Sequence, residues 1–341
     1  MVISSCFHSS MAFLPSVAAV VSALVTGNLA LKLNPSTATL VANATQGGTI
    51  AAAGTSLRAK YVASPHPEVL ADIQKLHIDT SNMVHASASS PNGGSISIMT
   101  FPSHEDKYVS GGVNNGVGWE SRLVSQAFGM WKNLGHSKGN FLDVGANIGT
   151  WTVPLAAAMA STGKHVIAIE ALPPIADHLR ASILANAAQN VILFPYAVGQ
   201  PSVDNDVDMA YHWSNKGGSQ VVGNSPWSQG THVQTFTVGL TTMDSILDAT
   251  PAMTNVFYAK FDIEGNEGRM LEGATRFFTQ HPPCIIWMEM YDSMLQHSGY
   301  SMARIETKLS SLGYDIYGKE GYGADWMYKQ RDMASCANRM S

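Results

Sequence analysis

The residues best suited to chemistry fall in three short stretches of this 341-residue chain. The first is Asp143-Val144-Gly145-Ala146-Asn147-Ile148-Gly149, the pattern D-x-G-x-N-x-G. Gly145 and Gly149 remove side chains where the backbone must bend tightly, and let a ligand lie against backbone amides around Asn147. Asp143, placed before the glycines, offers an acceptor to a cationic amino group. The second is Glu170, 21 residues beyond Gly149, where a carboxylate can accept both hydroxyls of a ribose. The third is Asp262-Ile263-Glu264-Gly265, followed downstream by Glu289 between Met288 and Met290. A carboxylate buried among such neighbours is costly unless it has a partner or a function.

These residues need elements that bring them to one place. Phe141 to Val144, His165 to Glu170, Val191 to Val198, Val256 to Asp262 and Cys284 to Met290 are apolar runs that read as buried strands. Between them lie helical patterns: Trp151 to Ala160, with Pro154 tolerated in the first turn, and Pro173 to Ala188, with Ile175, Leu179, Ile183 and Leu184 on one face. A further helix places Met270, Leu271, Ala274, Phe277 and Phe278 together. Apolar strands separated by helices predict a doubly wound α/β fold with a mostly parallel sheet. Asp315 to Tyr317 and Trp326 to Tyr328 bring it to seven strands as an edge hairpin. Val207 to Trp213 and Val233 to Val238 read as an inserted β-ribbon, joined by a glycine- and serine-rich loop, Gly217 to Gly230, that is either a pocket wall or a surface connection.

Open sheets of this kind bind ligands at the carboxyl ends of their strands, where Asp143, Glu170, Asp262 and Glu289 are expected. A dinucleotide wants its pyrophosphate at a helix N-terminus behind G-x-G-x-x-G spacing. That spacing is missing from the first turn and no Y-x-x-x-K occurs in the chain, which disfavours a nicotinamide dehydrogenase. A nucleoside with an ammonium group and no phosphate fits better, and S-adenosylmethionine (AdoMet) is such a molecule. Methyl transfer from a sulfonium is an in-line displacement that rewards positioning in a dry pocket, and a hydroxyl acceptor also benefits from a base. Asp262 is the first candidate to take the proton or to orient the methionine end, Glu264 the second, and Glu289 is expected to line the acceptor pocket. Asp262 or Glu264 capping a helix that starts near Asn266 is the structural alternative. A non-catalytic module of the same fold is the functional one.

The stretches Phe141 to Ala156, Val166 to Pro174, Asn190 to Gly199, Thr241 to Leu247, Ala259 to Ala274 and Ile285 to Met290 resemble the FkbM family of methyltransferases. Trp119-Glu120 is similar to the family's lead-in to the first strand. Met243, Phe261 and Ile263 are conservative departures. The resemblance covers roughly residues 95 to 320 and implies a class I methyltransferase fold. It also implies AdoMet as donor, an oxygen of a sugar or polyketide as acceptor, and Ala197 and Val198 as part of the cofactor site.

A charged fraction of 13% and a formal charge of -5 supply no basic surface for nucleic acid, so the expected partner is a small-molecule or glycan acceptor. Twelve histidines without ligand spacing predict no zinc, and Asp262 with Glu289, which could hold Mg2+, is set aside because carboxylates at strand ends commonly serve organic ligands, so no metal is expected. Cys6, Cys284 and Cys336 are too few and too scattered to predict a disulfide framework or a zinc site. Residues 1 to 67 contain no Asp or Glu, and Met11 to Val25 is an apolar run that extends to Leu33 if a few polar residues are tolerated. Residues 1 to 33 therefore read as a signal peptide or membrane anchor that associates the chain with a membrane, or as an organelle transit segment. Residues 34 to 94 are expected to be a linker, and the catalytic domain to run from Ser95 to the end.

Overall fold

Strands β3 (Asn140–Val144), β4 (Val166–Ile169), β5 (Val191–Phe194) and β10 (Val256–Phe261) are buried at every residue. This is the burial that a sheet covered on both faces imposes. The computed structural model to which they belong describes residues 64–340, apart from 203, 226, 227, 229–231 and 321–323. The expected leader and the first part of the expected linker lie outside the described residues. Seven strands form the main sheet in the order β12-β13-β11-β10-β3-β4-β5, with β11 at Ile285–Glu289, β12 at Tyr314–Glu320 and β13 at Asp325–Gln330. β13 runs antiparallel to both of its neighbours, while β3, β4, β5, β10 and β11 pair in parallel. Successive strand residues face opposite cores: Leu142, Ile167 and Ile286 enter one apolar cluster, and Phe141, Val166 and Ile285 the other.

The chain moves outward in one direction from β3 through β4 to β5, then returns to β10 on the other side of β3. The order reverses between β3 and β10, and a crevice opens there at the strands' carboxyl ends. The first turn fits only glycine. Gly145 has φ +79°, and a Cβ there would stand 1.8 Å from the Asp262 carbonyl oxygen. Gly149, at φ +98°, has another task, because its Cβ would meet Leu179 at 2.8 Å where two helices touch.

Four sequence expectations need correction. Residues expected to be linker are part of the fold: β1 (Val84–Ser89) pairs antiparallel with β2 (Ser95–Thr100), and Ile73 is 1% exposed in the core. Glu68 exchanges backbone hydrogen bonds with Leu193 and clasps Arg180 through both carboxylate oxygens at 2.7 and 2.8 Å. The packed unit thus begins no later than Glu68. Small serines and alanines hid β1 because a strand at the edge of a core needs few large side chains.

The inserted ribbon is wider than expected. β7 (Asp206–His212) pairs with β9 (Val233–Thr241), but the glycine-rich connection carries β8 (Asn215–Val221), which pairs with β7. Its glycines serve close approach, since a Cβ on Gly217 would lie 2.4 Å from Val109. With β6 (Ala197–Val198) beside β9, these strands make a four-stranded sheet. The long helix after β10 is two short ones, Glu267–Glu272 and Thr275–Gln280, broken where Gly273 approaches the Gly199 carbonyl oxygen too closely for any Cβ. Its five apolar residues are all buried nevertheless.

The last correction concerns sulfur. Cys284 and Cys336, 52 residues apart, form a disulfide that ties the helix Met333–Arg339 to the start of β11. Sequence distance concealed a pair that the return of β13 alongside β11 brings together. Alkylation of the denatured, unreduced chain is expected to leave both cysteines unmodified by peptide mass. Cys336→Ser is expected to lower the unfolding free energy by about 2–4 kcal/mol in a denaturant titration.

Candidate functional site

Lys260 lies buried beneath the crevice, where β3 and β10 meet, and its residue type alone did not single it out. It sits on β10 directly beside Asp143 on β3 and is 3% exposed. Its ammonium donates to the Gly145 carbonyl at 2.8 Å and stands 3.4 Å from Asp143 Oδ1 and 3.2 Å from Asp262 Oδ2. The Trp151 ring lies 5.9 Å away. Burial works to discharge such a lysine. The carboxylates of Asp262, Asp143 and Glu120 outweigh it and hold Lys260 well above its ordinary value. The signal was available: a lysine inside the otherwise apolar run Val256 to Phe261 demands buried counter-charges.

Asp143 is therefore engaged by the chain itself. Thr152 donates to its Oδ2 at 2.6 Å, and Lys260 stands where the sequence led us to expect the ammonium of a ligand, which corrects that expectation. Burial pushes its carboxyl upward, and Lys260 and Thr152 oppose that. Asp143, Gly149 and Glu289 stand outside the lining of the adjacent cleft. Gly145, Asn147, Glu170, Ala197, Val198, Asp262 and Glu264 share it, joined by Asn266 and by Gly217, Ser219 and Val221 of β8. The ribbon thus walls the cleft, and Asn147 Nδ2 donates to the Gly217 carbonyl across it at 3.2 Å.

Glu170 closes β4. Its Oε2 accepts from the Asn147 amide at 2.9 Å and its Oε1 from the Leu172 amide at 3.0 Å. Asn147, at φ +52°, turns its amide toward the carboxylate. Burial pushes Glu170 up to about 7 despite these two bonds.

At the end of β10 the carboxylates gather. Glu267 Oε1 accepts from the amides of Ile263 and Gly265, and so holds the turn that carries Asp262 and Glu264. Asn266, the residue before that helix, accepts no capping bond from it, and neither Asp262 nor Glu264 caps it. Burial, then the charges of Asp262 and Glu267, push Glu264 up to about 8. Burial and Asp262 push Glu289 up to about 12. One oxygen each from Asp262, Glu264 and Glu289 lies within 4.8 Å of the others. Glu120 enters from the N-terminal side. Held at φ +54°, it accepts from Trp151 Nε1 at 2.6 Å, and burial followed by the charge of Asp262 pushes it up to about 7. The lead-in Trp119-Glu120 thus delivers an acid to the same field.

The family described as the methyltransferase FkbM domain matches residues 143–316. Solved structures include a methyltransferase FkbM from Methylobacillus flagellatus, 18% identical, at a TM-score of 0.37 and covering 56% of this chain. The chain spans 43% of that protein's length. An O-methyltransferase from Bacillus cereus in complex with SAH is 14% identical, covers 61% of this chain and 79% of its own, and has a TM-score of 0.36. A putative O-methyltransferase from Klebsiella pneumoniae is 11% identical at a TM-score of 0.36, covering 61% and 78%. No curated protein matches the chain.

Because Lys260 neutralises two carboxylates at once, Lys260→Met is expected to cost about 3–5 kcal/mol of stability by leaving buried acids without a counter-charge. Lys260→Arg should retain part of it. Denaturant unfolding of the two variants against the parent checks this.

Proposed function

The chain belongs to the FkbM family of methyltransferases, and we propose that it transfers the methyl group of AdoMet to a hydroxyl of a sugar or another small metabolite. The observation that carries this reading is one cleft, at the reversal of strand order, lined both by a buried carboxylate at the end of β4, Glu170, and by the Asp262-Glu264 pair at the end of β10. AdoMet, when bound, supplies a methyl carbon activated by its sulfonium. The residues present fit it. Glu170 keeps further acceptor capacity on both oxygens after its two amide bonds, as a ribose diol requires. Asn266 is 6% exposed in the same lining, and its Oδ1 has no partner among the described residues.

Each residue then has a task. The Gly145 turn and Asn147 bring backbone close to the donor. Ala197 and Val198 present an apolar edge to its base. Asp262, steadied on one oxygen by Lys260, orients the acceptor and receives its proton. Glu264 and Glu289 shape the acceptor side. The wall formed by β8 excludes water and favours the displacement.

The two carboxylates should fail differently. Glu170→Ala is expected to weaken AdoMet binding about tenfold or more, because it removes charge-assisted bonds made in ground and transition states alike. Asp262→Asn should instead lower the rate at saturating donor by roughly a hundredfold if it takes the proton. Calorimetry and a labelled-methyl assay against glycan and metabolite extracts separate these outcomes. Unchanged AdoMet binding in Glu170→Ala would refute the ribose assignment.

The pH dependence has a definite sign. Glu170, Glu120, Glu267 and Glu264 are all raised in the folded state, to between about 7 and about 8. Their contribution to stability is fully present below about 4.5 and is lost as pH rises through 7 to 8. The ligand-free chain is thus expected to melt at lower temperature at pH 8 than at pH 6. AdoMet affinity should rise over the same interval as Glu170 ionises. Thermal scans with and without AdoMet read both.

We also propose that the N-terminal segment delivers the chain to a membrane or into the secretory pathway. The buried disulfide supports an oxidising compartment. No helix among the described residues is long and apolar enough to cross a membrane. Fractionation of a tagged chain is expected to place it with membranes or in a lumen, and a full-length cytosolic product would sink the idea.

A further inference from the structure

At the ends of β10 and β11 the site holds many acceptors and very few donors. Asp262 follows β10 directly, Glu264 is swung back by a left-handed backbone at φ +53°, and Glu289 is the last residue of β11. Their oxygens come within 4.8 Å of one another. Lys260 reaches this group only at Asp262 Oδ2, and it is shared with Asp143 and Gly145. Gln220 Nε2 touches Glu264 Oε2 at 3.5 Å, the limit of a hydrogen bond.

A second observation is independent of that cluster. Glu267 is wholly buried against the same turn. Its Oε1 is satisfied by two amides, but its Oε2 has no partner among the described residues. The unpartnered Oδ1 of Asn266 borders the cleft that Asp262 and Glu264 line. Asp325 lies opposite Glu289 in the strand register and adds a further acid. Leaving buried acceptors unpaired costs about 1–3 kcal/mol each, more for charged groups. Coordinated water donates the hydrogen bond that Asn266 lacks, and a cation replaces the missing positive charge.

We propose that Asp262, Glu264 and Glu289 form a binding site for one divalent cation of the magnesium or manganese class, with Asn266 receiving a hydrogen bond from its water. The ligand set is all oxygen, which suits Mg2+, Mn2+ or Ca2+ and not a zinc centre built on nitrogen and sulfur. Ligands on opposite sides of such an ion stand about 4–5 Å apart, in keeping with the observed cluster. The sequence expectation of no metal set Asp262 with Glu289 aside because two carboxylates at strand ends commonly serve organic ligands; the fold brings Glu264 to the pair and makes it three. The role of the ion rests on the methyl-transfer reading: a hydroxyl bound to it beside Asp262 loses its proton more readily. The binding of the ion does not depend on that reading.

The experiment is a Mn2+ titration of the chelator-treated full chain, followed by the electron paramagnetic resonance of free Mn2+, with AdoMet binding measured on the same preparations. One saturable site per chain, displaced by Mg2+, is expected. Glu289→Gln and Glu264→Gln should each weaken it tenfold or more while thermal melts confirm folding. Glu272→Gln, on the surface pair with Arg304, should leave it unchanged. Absence of saturable Mn2+ binding in the folded parent, or parental affinity in both Glu289→Gln and Glu264→Gln, overturns the proposal. Intact AdoMet binding beside absent Mn2+ binding removes the cation alone. Mn2+ binding without AdoMet binding removes the methyl-transfer reading and leaves the site standing.

Discussion

A lysine ammonium buried between two strand ends is the interaction on which the rest of the site depends. Lys260 and Asp143 are register partners on β10 and β3, the two strands at which the sheet order reverses. The charge between them is shielded from water, so each requires the other. Asp262 and the Gly145 carbonyl complete the shell around the ammonium. This fastens the first turn to the end of the fourth parallel strand. The near contact of Gly145 with the Asp262 carbonyl follows from the same closure, and explains why the turn tolerates no side chain there.

From that clamp the field spreads outward unevenly. One buried cation faces Asp143, Asp262 and Glu120, with Glu264, Glu267 and Glu289 beyond. With so little compensating charge, burial and mutual repulsion push Glu264, Glu267 and Glu289 upward. Positive charge from a sulfonium donor or from a divalent ion has the same electrostatic consequence, which is to let carboxylates ionise where they can act.

The parts outside the core sheet serve the same cleft. The lead-in at Glu120 reaches the Trp151 indole, the ribbon strand β8 forms a wall against Asn147 and Glu264, and the clasp of Glu68 on Arg180 fastens the segment before β1 to the helix Pro173–Ala185. Each joins residues distant in sequence. The disulfide fixes the other end of the chain to β11, the strand that carries Glu289.

The sequence alone determined the sheet and the position of the cleft. Apolar runs buried on both faces leave a parallel arrangement little alternative, and glycines with acids at strand ends mark where a cleft opens, so the shared lining by Glu170, Asn147 and Asp262 was legible from spacing. Tertiary structure decided the rest. Lys260 was visible as an oddity, but its partners lie on another strand. Glu289, singled out by its apolar neighbours, met Asp262 and Glu264 only when β10 and β11 lay side by side, and Glu267 was passed over although its bonds to the Ile263 and Gly265 amides are local. The hairpin of β1 and β2 and the strand β8 were hidden by small side chains although their pairing is local, and the bond from Cys284 to Cys336 by the 52 residues between its ends. A local pattern reports what a residue needs buried or exposed. Which charges, amides and thiols finally meet is set by the packing that brings distant segments together.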